Sequence, residues 1–305
     1  MKKVFYIIMA VLFVFQIVKP VAAKTADGKL VEKKPFGKKD GVEITKIIYM
    51  SDGLKVSGLL FTEKPSEKLP CVIFAHDGIS GISKEHRLAS IRLAKQGFAV
   101  FSPSYRGEDD SEGEIEIAKG EVRDVLNAMV MLSDLPQVDK DKIGFAGFSH
   151  GALISMLAAS RTAKVKAVVA GYGVMDIYKW WDYLKENDKI GKDRITRQTY
   201  GDGPEDRPVS FKIRNAVSYV DKIKAPVLIL QGEKDDIVPP GQAKYLKQAL
   251  DKHKIRNKMV IYPNCLHGFI IYVPFLKDET IEESERNETE QAWKEMVDFL
   301  NTHLK

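Results

Sequence analysis

One stretch of the chain, Lys142 to Ser160, constrains the fold more than any other. A strand-like run, Lys142-Ile143-Gly144-Phe145-Ala146, enters Gly147-Phe148-Ser149-His150-Gly151 and passes directly into a helical pattern, Ala152 to Ser160. A serine flanked two residues either way by glycine marks a backbone turn so sharp that side chains at the flanks would collide. Such a turn lifts the hydroxyl above the sheet and aims the first N–H groups of the helix at it. A serine that merely caps the helix is the plainer reading. The fit of strand, turn and helix together favours Ser149 as a nucleophile.

The rest of the chain repeats the same rhythm. Short apolar runs occur at Ile44 to Met50, Val56 to Phe61, Cys71 to Ala75, Ala99 to Ser102, Val165 to Ala170, Val227 to Gln231 and Lys258 to Tyr262. Helical patterns lie at Lys84 to Gln96, Glu116 to Ser133, Gly241 to Lys252 and Glu288 to His303. The first two runs, joined by Ser51-Asp52-Gly53, read as an antiparallel hairpin. Alternation of strand and helix thereafter predicts an α/β fold with a mostly parallel sheet of roughly eight strands, helices on both faces and ligands at the strands' carboxyl ends. At 305 residues and 44% hydrophobic, the chain holds enough apolar material for one large core.

Two segments break the rhythm. Lys24 to about Gly41, rich in Lys and Gly, reads as a linker or N-terminal arm before a catalytic domain over 42–305. The segment from about 173 to 220, with Trp180, Trp181 and Tyr183, reads as an inserted cap. Its tryptophans either line a substrate pocket or pack the insertion onto the main core.

A serine hydroxyl is a weak nucleophile at neutral pH, so it needs a histidine to take its proton and a carboxylate to orient that histidine. In a strand-turn-helix elbow of this kind the acid and then the histidine follow the serine. His253 lies in a charged helix end and His303 two residues from the terminus, which leaves His267, in a loop after the strand ending at Tyr262. The acid is Asp235 or Asp236, in the loop after Pro226 to Leu230, with Asp176 a distant third. The tetrahedral intermediate needs two N–H donors. The His150 amide supplies one, and Gly78 or Ile79, in the loop after Cys71 to Ala75, supplies the other.

The combination of the elbow, Ser104-Tyr105-Arg106-Gly107, Asp139 with Lys142-Ile143, Gly232-Glu233-Lys234-Asp235-Asp236-Ile237-Val238-Pro239 and His267-Gly268-Phe269 resembles the α/β-hydrolase superfamily. Within it, the chain is most similar to the catalytic domain of the prolyl oligopeptidase family and to dienelactone-hydrolase-like enzymes. The resemblance spans roughly Val42 to Leu304, favours Asp235 as the acid and leaves Asp236 as a turn residue. Trp180 and Trp181 of the insertion, with Phe269 after the histidine, are the candidates for the substrate pocket. His76-Asp77-Gly78 departs from the His-Gly-Gly of many relatives, so the resemblance does not choose between Gly78 and Ile79 as the second oxyanion donor. The short arm before Val42 cannot form the β-propeller that such oligopeptidases carry, so peptide specificity does not transfer with the resemblance.

The expected chemistry is acyl transfer on a small ester or short peptide through an acyl-enzyme, with carboxylesterase-like breadth preferred, an aminopeptidase or dipeptidyl-type peptidase close behind, and a non-catalytic binding domain a weaker reading. It calls for no cofactor. The acidic run Glu108 to Glu114 matches no calcium-loop spacing and reads as a solvated surface loop, so no metal is expected. Gly78 to Lys84 lacks phosphate-loop spacing. At the N-terminus, Lys2 and Lys3, a charge-free run from Val4 to Val18 and Val21-Ala22-Ala23 read as a signal peptide over 1–23. Export to the periplasm or medium follows, with an uncleaved anchor as the rival and no stable membrane partner after cleavage. Removing Lys2, Lys3 and Lys19 takes the formal charge from +5 to +2, a balance that gives no case for nucleic acid. Cys71 and Cys265 are expected as free thiols, one at the start of a central strand and the other beyond the end of a different one.

Overall fold

The computed structural model describes residues 27–305, so the signal-peptide reading and its cleavage point lie outside the described residues. Among the described residues, nine strands form one sheet: β1 (Leu30–Lys39), β2 (Val42–Ser51), β3 (Leu54–Thr62), β4 (Leu69–Ala75), β5 (Ala99–Pro103), β6 (Val138–Phe148), β7 (Val168–Gly171), β8 (Val227–Gly232) and β9 (Asn257–Tyr262). Their order in space is β1-β2-β3-β5-β4-β6-β7-β8-β9. The first four in that order pair antiparallel, and everything from β5 to β9 is parallel. This is the α/β-hydrolase fold.

The β2-β3 hairpin closes on Asp52 and Gly53, with φ of 53° and 82° and Ser51 paired to Leu54. Two consecutive positive φ values are what a two-residue hairpin turn needs, and Asp-Gly supplies them with little strain. The parallel strands need crossovers, which helices α1 (Lys84–Ala94), α2 (Gly120–Ser133), α3 (His150–Ala159) and α7 (Gly241–Lys252) provide, with the short α8 (Phe269–Tyr272) and then α9 (Glu283–Leu304) closing the chain. Buried residues of α2, α3 and α7 join one face of the sheet and those of α1 and α9 the other. Cys71 belongs to the first of these cores and Cys265 to the second, and both are unpaired.

The stretch read as a linker or arm instead contributes a ninth strand. All of β1 except Glu32 is exposed, so it carries no alternation of apolar and polar residues by which to recognise it. Backbone pairing with β2 holds it, with register shifts at Leu30/Glu32 and Pro35/Gly37. Charge, Pro35 and an irregular register are features that keep an edge strand from pairing with other chains.

Between β7 and β8 the chain forms α4 (Ile177–Glu186), α5 (Arg194–Tyr200), α6 (Pro208–Arg214) and a 3-10 turn at Ala216–Lys222. Ile177, Trp181, Leu184, Tyr200 and Phe211 form a small apolar cluster of their own. Asp176 caps α4, accepting from the amides of Tyr178 and Lys179, each at 3.1 Å. The buried Gln242 ties the start of this segment to α7, accepting from the amides of Met175 and Asp176 at 2.8 Å each. Among the described residues, no helix is long and apolar enough to cross a membrane.

Candidate active site

Strand β5 pairs with one side of β4 and strand β6 with the other, so chain direction across the sheet switches between β4 and β6. In open α/β sheets the crevice beyond such a switch is where ligands bind. The loop His76-Asp77-Gly78-Ile79 leaves β4 there, and Ser149 leaves β6 beside it.

Ser149 adopts φ 50° and ψ −117°, a conformation that an L-residue holds only under constraint. Close packing imposes it. A Cβ at position 147 would lie 2.1 Å from the Gly151 carbonyl oxygen, and one at 151 would lie 2.2 Å from that of Ala75. Both glycines are therefore required by contact, and Gly151 presses α3 against the end of β4. The amide of His150, in the first turn of α3, has no acceptor within the helix and remains available beside Ser149.

Three side chains lie in one hydrogen-bonded line. His267 Nδ1 is 2.8 Å from Asp235 Oδ2, and His267 Nε2 is 3.0 Å from Ser149 Oγ. A carboxylate can only accept, so Nδ1 carries the proton and Nε2 of the neutral ring is left to receive the serine's. Asp235 is 3% exposed and held from all sides: its Oδ1 accepts from the amides of Ile237 at 3.0 Å and Val238 at 2.8 Å. Its Oδ2 also accepts from Gln231 Nε2 at 3.2 Å. Asp236 points elsewhere, its carboxylate 3.1 Å from Lys189 Nζ, which holds it below the usual carboxylate range. Of the two acids left open by the residues alone, the one at His267 is thus Asp235. Asp176 is engaged as a helix cap, His253 is exposed, and His303 stacks edge-on against Phe299 with its ring centroid 4.7 Å away.

The loop facing Ser149 is fixed by two histidines. His76 Nδ1 donates to the Asp77 carbonyl at 2.8 Å, and His150 Nδ1 donates to the Gly78 carbonyl at 2.9 Å. The His150 side chain thus helps to hold this loop, a role not visible in the sequence. Burial pushes its imidazole toward the neutral form. Gly78 has φ 66°, and Ile79 lines the cavity beside Ser149.

In the acidic loop after β5, Asp109, Asp110, Glu112 and Glu114 are exposed, as expected of a solvated surface run, and Glu108 is the acid that departs from it. Glu108 is buried and places Oε2 2.9 Å from His76 Nε2, an ion-pair contact without the alignment of a hydrogen bond. Asp109 accepts from the Ile82 amide at 3.2 Å, Asp110 pairs with Lys46, and Glu112 accepts from the Lys55 amide at 2.8 Å. A run of acids in sequence does not show which of them finds a partner across the fold. Arg106, in the same region, is 6% exposed and binds Asp124 with both Nε, at 3.1 Å, and Nη2, at 2.8 Å.

A cavity of about 530 Å³ opens at Ser149, and both Trp180 and Trp181 line it. Trp180 is also tied to the acid loop, donating from Nε1 to the Ile237 carbonyl at 3.2 Å. Phe269 does not belong to this pocket. It is fully buried, with its ring 5.6 Å from that of Tyr172 and 5.5 Å from that of Tyr262, so it packs beneath the histidine loop. Tyr172 in turn stacks edge-on against His267 at 5.0 Å. Tyr172 and Gln231 are the supporting residues that sequence reasoning missed. Tyr172 follows the end of β7 and Gln231 lies near the end of β8, both buried, with no spacing to distinguish them.

The sequence profile described as the Dienelactone hydrolase family matches residues 56–304. A Bacillus subtilis protein named "Uncharacterized peptidase YtmA" is 31% identical over 228 residues, covering 74% of this chain and 87% of its own. Among solved structures, acetyl xylan esterase 1 from Thermoanaerobacterium sp. superposes with a TM-score of 0.66 at 18% identity, covering 90% of this chain and 89% of that one. Pyrococcus horikoshii acylaminoacyl peptidase superposes with a TM-score of 0.70 at 21% identity, covering 88% of this chain but 43% of its own.

Proposed function

The chain belongs to the dienelactone hydrolase family and is a hydrolase, and from that premise we propose that it cleaves an ester through Ser149, His267 and Asp235. The observation that carries this reading is the Asp235–His267–Ser149 line, with separations of 2.8 and 3.0 Å. His267 Nε2 takes the proton of Ser149 as Oγ attacks the substrate carbonyl, and the resulting imidazolium is held by Asp235. Negative charge gathers on the carbonyl oxygen, where the amide of His150 and that of Ile79 donate. Collapse of the tetrahedral intermediate breaks the bond to the leaving group, which takes the proton from His267. Water, deprotonated by the same imidazole, then resolves the acyl-enzyme.

A peptide bond is the second reading, supported by the name of the Bacillus subtilis relative. Steady-state assays of p-nitrophenyl acetate beside aminoacyl and prolyl arylamides separate the two. Ester turnover lost in Ser149→Ala, with arylamide turnover absent, is the expected result, and arylamide turnover exceeding ester turnover would reverse the preference. The reading includes export, supported by Lys2, Lys3 and the charge-free run that follows. Retention of the intact N-terminus on protein recovered from the cytosol would contradict it.

A further inference from the structure

Two groups of the substrate leave the reacting carbonyl in different directions, and the cavity beside Ser149 lies on only one of them. The leaving group receives its proton from His267 and so departs on that residue's side. The cavity is lined by Ser149, His150 and Ile79, and His267 is not part of its wall. It therefore receives the acyl half of the substrate.

The wall excludes charge. Leu153, Val174, Trp181, Leu184, Tyr200 and Val238 supply apolar surface, and the two charged side chains that line it, Lys189 and Asp236, neutralise each other at 3.1 Å. Lys189 is committed further, donating from Nζ to the Asp236 carbonyl at 2.7 Å and to Tyr183 Oη at 3.1 Å. Among the described residues lining the cavity, no free cation remains for an acyl carboxylate. Nor, among them and the neighbouring Asp235, does a free anion remain for a protonated α-amine, because Asp235 is already filled by His267, Gln231 and two amides. A charged acyl group entering here would be desolvated without a partner.

We infer that this cavity is an acyl pocket for a neutral, apolar acyl group larger than acetyl, aliphatic or aryl-substituted, and that it rejects anionic and α-amino acyl groups. The inference rests on the reading of Ser149 as nucleophile and adds the class of substrate. Trp181 and Leu184, both on α4 and both buried, are its specificity-determining residues, because the inserted segment brings them over a nucleophile on a different element.

The test is kcat/KM across p-nitrophenyl esters, with fluorophosphonate labelling of Ser149 run on the same preparation. Each methylene buried is worth up to about fourfold, so hexanoate is expected to exceed acetate by at least tenfold. Hemisuccinate is expected to fall at least tenfold below pentanoate, which is of similar size, and the alanyl ester at least tenfold below isobutyrate. Leu184→Trp fills the pocket and lowers the hexanoate-to-acetate ratio. Asp236→Asn leaves the charge of Lys189 without its carboxylate and raises the hemisuccinate-to-pentanoate ratio severalfold. With Ser149 labelled, a flat chain-length profile or a preference for hemisuccinate or alanyl esters overturns the inference while the nucleophile stands. Absence of labelling defeats both.

Discussion

His76 and Glu108 meet at 2.9 Å with neither side chain reaching solvent, directly behind the loop that faces Ser149. Burial opposes charge on His76, but the Glu108 carboxylate beside it outweighs burial and raises the imidazole's pKa. Removing one partner of a buried pair strands the other. Glu108→Gln is therefore expected to lower stability by about 3–5 kcal/mol, read from urea unfolding. Because the folded pKa lies above the unfolded value of 6.5, the pair's contribution is complete below 6.5 and fades as pH rises through the folded value. The loss should be larger at pH 6 than at pH 9, and an equal loss at both would show that His76 is not charged in the folded protein.

His86, 6.0 Å from His76 between ring centroids, behaves in the opposite sense. Burial, then repulsion from His76, lowers its pKa to about 3. Between 6.5 and about 3 the unfolded chain binds a proton that the folded protein refuses, so stability falls as pH drops through that window. The two buried histidines thus act on opposite sides of 6.5. His86→Gln is expected to flatten the acid limb of a stability-versus-pH curve by a few kcal/mol while leaving the alkaline limb unchanged.

The elbow's glycines differ in what a methyl group would meet. At Gly147 and Gly151 a Cβ runs into backbone carbonyl oxygens at 2.1 and 2.2 Å, whereas at Gly78 nothing lies within 4 Å and only the φ of 66° resists substitution. Gly147→Ala and Gly151→Ala are each expected to lose about 3 kcal/mol or more. Gly78→Ala is expected to lose about 1–2 kcal/mol. Melting temperatures of the three variants give the order, and a Gly78 variant as unstable as the others would contradict the packing argument.

Much of this site was legible because its chemistry forces particular residues into particular places. A turn that tight admits only glycine at 147 and 151, and His267 stood out because the other late histidines occupy charged or terminal positions. What stayed hidden depends on long-range partners. Strand β1 is held by backbone pairing and shows no periodicity, Glu108 is buried only because His76 lies behind it, and Phe269 follows the histidine yet turns into the core. The choice between Asp235 and Asp236 rested on resemblance, since adjacent acids in one loop are alike until their separate partners, His267 and Lys189, are placed.

Those partners make the two acids separable by experiment. Asp235→Asn removes the acceptor that sets the His267 tautomer, and the expected loss in kcat is roughly 10⁴-fold. Asp236→Asn breaks an exposed ion pair, so the loss on a neutral ester is expected to stay within about tenfold. Kinetics of both variants on p-nitrophenyl butanoate give the answer, and a larger loss at Asp236 would reassign the acid.

The role of Ser149 is tested most directly by treating the protein with a fluorophosphonate and mapping the adduct by peptide mass spectrometry. A single adduct on Ser149, formed at a rate that collapses in His267→Ala, is the predicted result. An adduct on any other residue, or none at all on folded protein, would contradict the account.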